Sequence, residues 1–134
     1  MKKVFLCFLI LIISVLFSTV VLAAGAEHVD PLTVAGDHYK LLMENERVRV
    51  LDFHGKAGDK IPMHWHPDHV VYVLSGGKAN FTVNGKTTEQ DMKTGKAIFM
   101  PATNHSVEVI GPGEVHVIVV ELKEPAKTMK AKAK

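Results

Sequence analysis

Three histidines fall within six residues in the run Met63-His64-Trp65-His66-Pro67-Asp68-His69-Val70-Val71-Tyr72-Val73-Leu74-Ser75-Gly76-Gly77. This stretch constrains the fold more than any other. In an extended strand, residues i and i+2 point to one face, so His64 and His66 aim two imidazoles the same way, as a metal-chelating pair would. Pro67 has no N–H with which to continue a ladder, and the strand breaks there. Val70 to Leu74 then reads as a strand apolar on both faces, closed by a hairpin turn at the glycine pair. The pattern is a chelating strand, a kink carrying His69, and a buried return strand.

Other strands surround it. Tyr39 to Met43 and Arg47 to Phe53 come before, and in the second the charges at 47 and 49 oppose Val48 and Val50, as in a half-buried strand. Lys78 to Val83 and Lys86 to Met92 flank Asn84-Gly85, the strongest hairpin signal in the chain and a type I′ turn by its residues. Lys96 to Met100 stops at Pro101. His105 to Ile110 and Glu114 to Leu122 are separated by Gly111-Pro112-Gly113. No stretch beyond residue 26 has a helical period. Short strands with turn signals every ~8–12 residues predict an all-β antiparallel sandwich or barrel.

The 134 residues suffice for one domain. Lys2-Lys3, the apolar run Val4 to Leu22 and the small residues Ala23-Ala24-Gly25-Ala26 have the form of a secretory signal over 1–26. The alternative is an uncleaved anchor, since the run is long enough to span a bilayer. Residues 27–37 form a leader, 38–123 the barrel, and 124–134 a Lys/Ala-rich tail of disordered composition. The expected location is the periplasm or beyond, with the membrane touched only through residues 1–26 if they stay attached. The one cysteine, Cys7, lies in the apolar run, so no disulfide framework supports the domain. Lys2 and Lys3 account for the formal charge of +2, and residues 27–122 carry 9 basic against 13 acidic groups. A mildly acidic body argues against nucleic acid as a partner.

These residues resemble the cupin family. Its first motif, G-x5-H-x-H-x(3,4)-E-x6-G, is similar to Gly58, His64, His66 and Gly76, with His69 in the place of the glutamate. Its second, G-x5-P-x-G-x2-H-x3-N, is similar to Gly95, Pro101 and His105, with Thr103 and Val109 in place of the glycine and asparagine. The resemblance runs from about Arg47 to Glu121 and is to small single-domain bacterial cupins. It implies a double-stranded β-helix, or jelly-roll, barrel. It also implies a divalent transition-metal ion held by His64, His66, His69 and His105.

Imidazole suits Fe, Zn, Ni and Cu better than Mn or Mg. Four neutral imidazoles leave the ion's double charge uncompensated, which favours anionic or oxygen-bearing small molecules. Trp65 and Tyr72 are candidates for the substrate pocket. His28 and His38 read as surface groups, and His54 and His116 as structural ones. Three functions compete. The first is a metal-dependent enzyme of dioxygenase, isomerase or decarboxylase type. The second is a barrel that binds metal or a small ligand without turnover, and the third a structural barrel with a vestigial site. Apolar strands such as Val115 to Leu122 would expose an apolar outer sheet in a monomer, so a homodimer is expected.

Overall fold

The computed structural model describes residues 27–124. The signal reading, Cys7 and the tail beyond Glu124 lie outside the described residues. Among the described residues, nine strands form two antiparallel sheets facing each other, a jelly-roll barrel as expected. One sheet has five strands in the order β1 (Tyr39–Glu44), β2 (Val48–Lys56), β9 (Glu114–Leu122), β4 (His69–Ser75) and β7 (Ala97–Met100). The other has four, in the order β3 (Lys60–His66), β8 (Thr103–Val109), β5 (Gly77–Val83) and β6 (Lys86–Met92).

Alternation builds the core. In β9, Val115, Val117, Val119 and Glu121 are buried while His116, Ile118 and Val120 are half-buried on the other face. Leu51, Phe53, Val71 and Val73 join the valines from the same sheet, and Ile61, Ala79, Val107 and Val109 face them from the other. Each such valine, leucine, isoleucine or phenylalanine contributes ~1.5–3 kcal/mol by leaving water.

In β2 the faces are reversed from the sequence reading. Leu51 and Phe53 are buried, so Arg49, in step with them, also turns inward, while Val48 and Val50 lie on the outer face. Arg49 tolerates that position because Glu121 and Asp30 both bond its guanidinium. A strand-level pattern cannot show such a distant partner.

Asn84 (φ 50°) and Gly85 (φ 76°) make the β5–β6 turn with both central residues left-handed, as a type I′ hairpin requires. Gly76 is different. It does not close a hairpin, because β4 pairs with β7 and β9 whereas β5 pairs with β6 and β8. The chain crosses between sheets there, packed so tightly that a Cβ on Gly76 would lie 2.2 Å from the Met92 carbonyl oxygen.

Residues 27–37 contain a single helical turn, α1 (Pro31–Val34). Asp30 caps it by accepting from the Leu32 N–H at 2.8 Å, and Pro31 takes the first position, where its missing N–H costs nothing. One turn is too short to leave a period in the sequence. The Trp65 N–H donates to the Val29 carbonyl at 2.8 Å, which ties this segment to β3, an edge strand.

Candidate metal centre

β3 carries His64 and His66 on its buried face, and β8 carries His105 directly opposite His64. All three are buried. Their ring centroids lie 4.6 Å (His64–His105), 4.9 Å (His64–His66) and 5.4 Å (His66–His105) apart. One ligand nitrogen from each lies within 4.8 Å of the others. Around one ion with bonds of ~2.1 Å, donors sit ~3.0–4.2 Å apart. The three are thus close to the spacing that a common ion needs.

Hydrogen bonds set the tautomers of two rings. His64 Nδ1 lies 2.7 Å from the Pro62 carbonyl, which can only accept, so Nδ1 carries the proton and Nε2 the lone pair. His66 Nδ1 donates to Glu121 Oε1 at 2.5 Å and likewise keeps Nε2 for a ligand. Such backing of a ligating imidazole is the common arrangement at metal sites. His105 has no such partner: its Nδ1 is buried without a hydrogen bond among the described residues. An unpartnered buried ring nitrogen costs ~1–3 kcal/mol, and a cation held among the rings is a group that would remove that cost. The residues present thus fit a divalent transition ion.

Burial keeps the His64 and His105 rings neutral. Desolvation, against the bond to Pro62, lowers the His64 pKa to about 4. His105 is lowered to about 2 by desolvation and by the neighbouring His64, His66 and His69. A neutral imidazole is the form that binds metal.

Glu121 went unnoticed in the sequence, and no motif marks it. Burial alone would raise its carboxyl pKa, but the bonds from His66 and Arg49 and their charges pull it below the usual range. The chain His66–Glu121–Arg49–Asp30 therefore links β3, β9, β2 and the start of α1. Tyr39 was also missed. It is buried, its hydroxyl lies 3.2 Å from His64 Nε2, and desolvation followed by the Glu121 charge raises its pKa, so it remains a proton donor.

The candidate residues divide. His64, His66 and His105 come together. His69 starts β4 on the other sheet, with its Nδ1 donating to the Pro67 carbonyl at 2.7 Å and its ring 4.9 Å from that of His66. It is buried beside the three but falls outside the set whose donor atoms converge. Asp68 stays exposed and accepts from the Ala102 N–H.

A cavity of about 690 Å³ opens between the sheets. His66, His69 and His105 line it with Tyr39, and its walls are largely apolar, including Phe53, Phe81, Val107 and Met100. Neither Trp65 nor Tyr72 lines it. Trp65 alternates with His64 and His66 and so faces out, where it stacks on the exposed His28 at 4.2 Å. Tyr72 alternates with Val71 and Val73 and is exposed on the outer sheet face. His54 and His116, read as structural, stack on each other on that same outer face.

A model of the Cupin domain family matches residues 51–121. Among curated proteins there is no match. Similar solved structures include a cupin domain from Bordetella pertussis Tohama I, with 20% identity and a TM-score of 0.61, covering 75% of this chain and 100% of that one. A Streptococcus pyogenes protein of unknown function is 24% identical with a TM-score of 0.52, over 76% of this chain and 91% of that one. An RmlC-like protein with a double-stranded β-helix fold from Methanocaldococcus jannaschii is 18% identical with a TM-score of 0.53, over 69% and 84% of the two chains. At such identities the likeness is one of fold.

Proposed function

The chain belongs to the cupin family, and from that premise we propose that it is a metal-dependent enzyme for a small oxygen-bearing or anionic molecule with an apolar body. In this reading His64, His66 and His105 hold a divalent Fe, Zn, Ni or Cu ion. The observation that carries it is the convergence of three buried imidazoles beside a largely apolar cavity. Three uncharged donors leave the ion's charge uncompensated, so an anionic or strongly dipolar head group is favoured next to it.

When bound, the ion supplies a Lewis acid for a substrate oxygen. The chain's own residues supply the rest. The apolar walls take the body of the substrate and exclude water. Coordination would occupy the His64 lone pair to which the Tyr39 hydroxyl now points, which frees that hydroxyl to donate to the bound molecule. His69, with Nδ1 committed to Pro67, offers its other nitrogen to the cavity as a proton acceptor. A donor, an acceptor and a Lewis acid in one cavity suit isomerisation or decarboxylation, and oxidation by dioxygen where the ion is redox-active. A second reading, binding without turnover, draws support from Glu121. This buried carboxylate is committed to His66 and Arg49 and is not free to act as a base. Export to the periplasm or beyond is part of the proposal and rests on residues 1–26 and on a body without cysteine.

Elemental analysis of protein purified from its own compartment tests the site. His64→Ala, His66→Ala and His105→Ala should each lose one ion per chain, and His28→Ala none. Unchanged metal content in all three variants would refute the assignment. Turnover that survives metal loading but fails in Tyr39→Phe separates enzyme from binder.

A further inference from the structure

The outer face of the five-stranded sheet carries a second group of metal-ligating side chains. His54 on β2 lies directly opposite His116 on β9, and the rings stack with centroids 3.7 Å apart and planes at 29°. Asp52, two residues before His54, shares that face. Its Oδ1 is 2.6 Å from His116 Nε2 and its Oδ2 is 3.4 Å from His54 Nε2. One ligand atom from each of the three lies within 4.8 Å of the others. A fourth group stands behind them: His54 Nδ1 is 2.5 Å from Glu114 Oε1.

We propose that Asp52, His54 and His116 form a second metal site, solvent-facing and separate from the interior one, which takes a divalent copper or zinc ion.

The hydrogen bonds carry the argument. A carboxylate only accepts, so Glu114 holds the proton of His54 on Nδ1 and leaves a lone pair on Nε2. That lone pair faces a carboxylate oxygen of Asp52. A cation between that nitrogen and Asp52 Oδ2, 3.4 Å apart, would bond to both. His116 Nε2 donates to Asp52 Oδ1 at 2.6 Å, and a divalent ion in place of that proton would join both Nε2 atoms and Asp52, the His116 ring keeping its proton on Nδ1. Glu114 is then the carboxylate behind a ligating histidine that metal sites commonly use. Two imidazoles and one carboxylate suit Cu²⁺ and Zn²⁺, with Cu²⁺ the tighter. The side chains of His54, His116 and Asp52 are 47%, 27% and 19% exposed, so remaining positions open to water. Bridging β2 to β9, the ion also clamps the two strands.

The test is a stoichiometric titration of the chelator-stripped full-length protein with zinc chloride against a chromophoric competitor. The unmodified protein should bind two ions per chain and His54→Gln/His116→Gln one. Glu114→Gln should keep both but weaken one of them by ~10–100-fold. His28→Gln, which belongs to neither cluster, should change neither. The proposal is overturned if His54→Gln/His116→Gln binds as many ions as tightly as the unmodified protein, or if the unmodified protein binds none. If only one ion binds, its loss in His54→Gln/His116→Gln supports the outer site and counts against the interior one. Its retention there, with loss in His64→Ala, overturns the outer site alone. Both outer residues lie on the outer face of the sheet, away from the core, so the comparison stands even if an interior variant fails to fold.

Discussion

Replacing Glu121 with glutamine is the sharpest single perturbation of the interior site. The side chain is 2% exposed and accepts from His66 Nδ1 and from Arg49 Nε and Nη2. Glutamine keeps the shape but removes the charge and puts an NH₂ where one of those donors needs an acceptor. Removing one partner of a buried ion pair costs ~3–5 kcal/mol. Arg49 keeps its bond to Asp30 and is 14% exposed, so a value near the lower limit, ~3 kcal/mol, is expected. The same change releases the His66 ring and should weaken the interior ion ~10–100-fold, or ~1.4–2.8 kcal/mol. Urea unfolding of stripped protein measures the first quantity, and competitive zinc titration of folded protein the second. Arg49→Met and the double variant complete a cycle. If Glu121 and Arg49 act as a unit, the double variant loses less than the sum of the singles. A destabilisation under ~1 kcal/mol, together with affinity within twofold of the parent, would refute the claim that Glu121 supports both the fold and His66.

Acid should weaken the metal-free protein well before ordinary carboxylates titrate. The folded-state pKa of His64 is lowered from 6.5 to about 4, so the unfolded chain binds more protons between those values. Stability is therefore full above pH ~6.5 and falls as pH drops toward 4, by ~3 kcal/mol for His64 alone. His105 adds a loss of the same sign that extends to lower pH. Urea midpoints at pH 7.5, 5.5 and 4.5 check this, and a flat profile over that range refutes it. We also propose the homodimer. Met43, Val50, Val120, Val70 and Phe99 pair in one continuous apolar row across all five strands of the outer sheet face, and Phe99 is 59% exposed. Light scattering should give twice the chain mass for the parent and a folded monomer for Phe99→Glu. A monomeric parent at working concentration ends the proposal.

The fold was legible because its signals are local. Asn84-Gly85 declares a hairpin by the backbone it allows, Pro67 and Pro101 end strands by lacking an N–H, and His64 and His66 share a face because they are two apart. What escaped the sequence depends on partners far along the chain. Gly76 resembles a hairpin glycine, yet its role comes from the close approach of the Met92 carbonyl. Arg49 looks like an outward charge until Glu121, 72 residues later, brings it inside. Trp65 and Tyr72 adjoin the histidines in sequence, but strand alternation sends them to the opposite face.

β9 joins the two clusters. Its odd positions face the core and end in Glu121 behind His66, while its even positions face outward and begin with Glu114 and His116. The two functional ends lie on opposite faces because 116 and 121 differ by an odd number. A slip of one residue in the β2–β9 register would turn Glu121 out, leave Arg49 buried without that partner, and bury His116 among valines. Two penalties of a few kcal/mol each would then fall on one error. The polar groups that prepare each site for an ion thus also select the pairing of the central strands. Register specificity should therefore persist when no metal is bound.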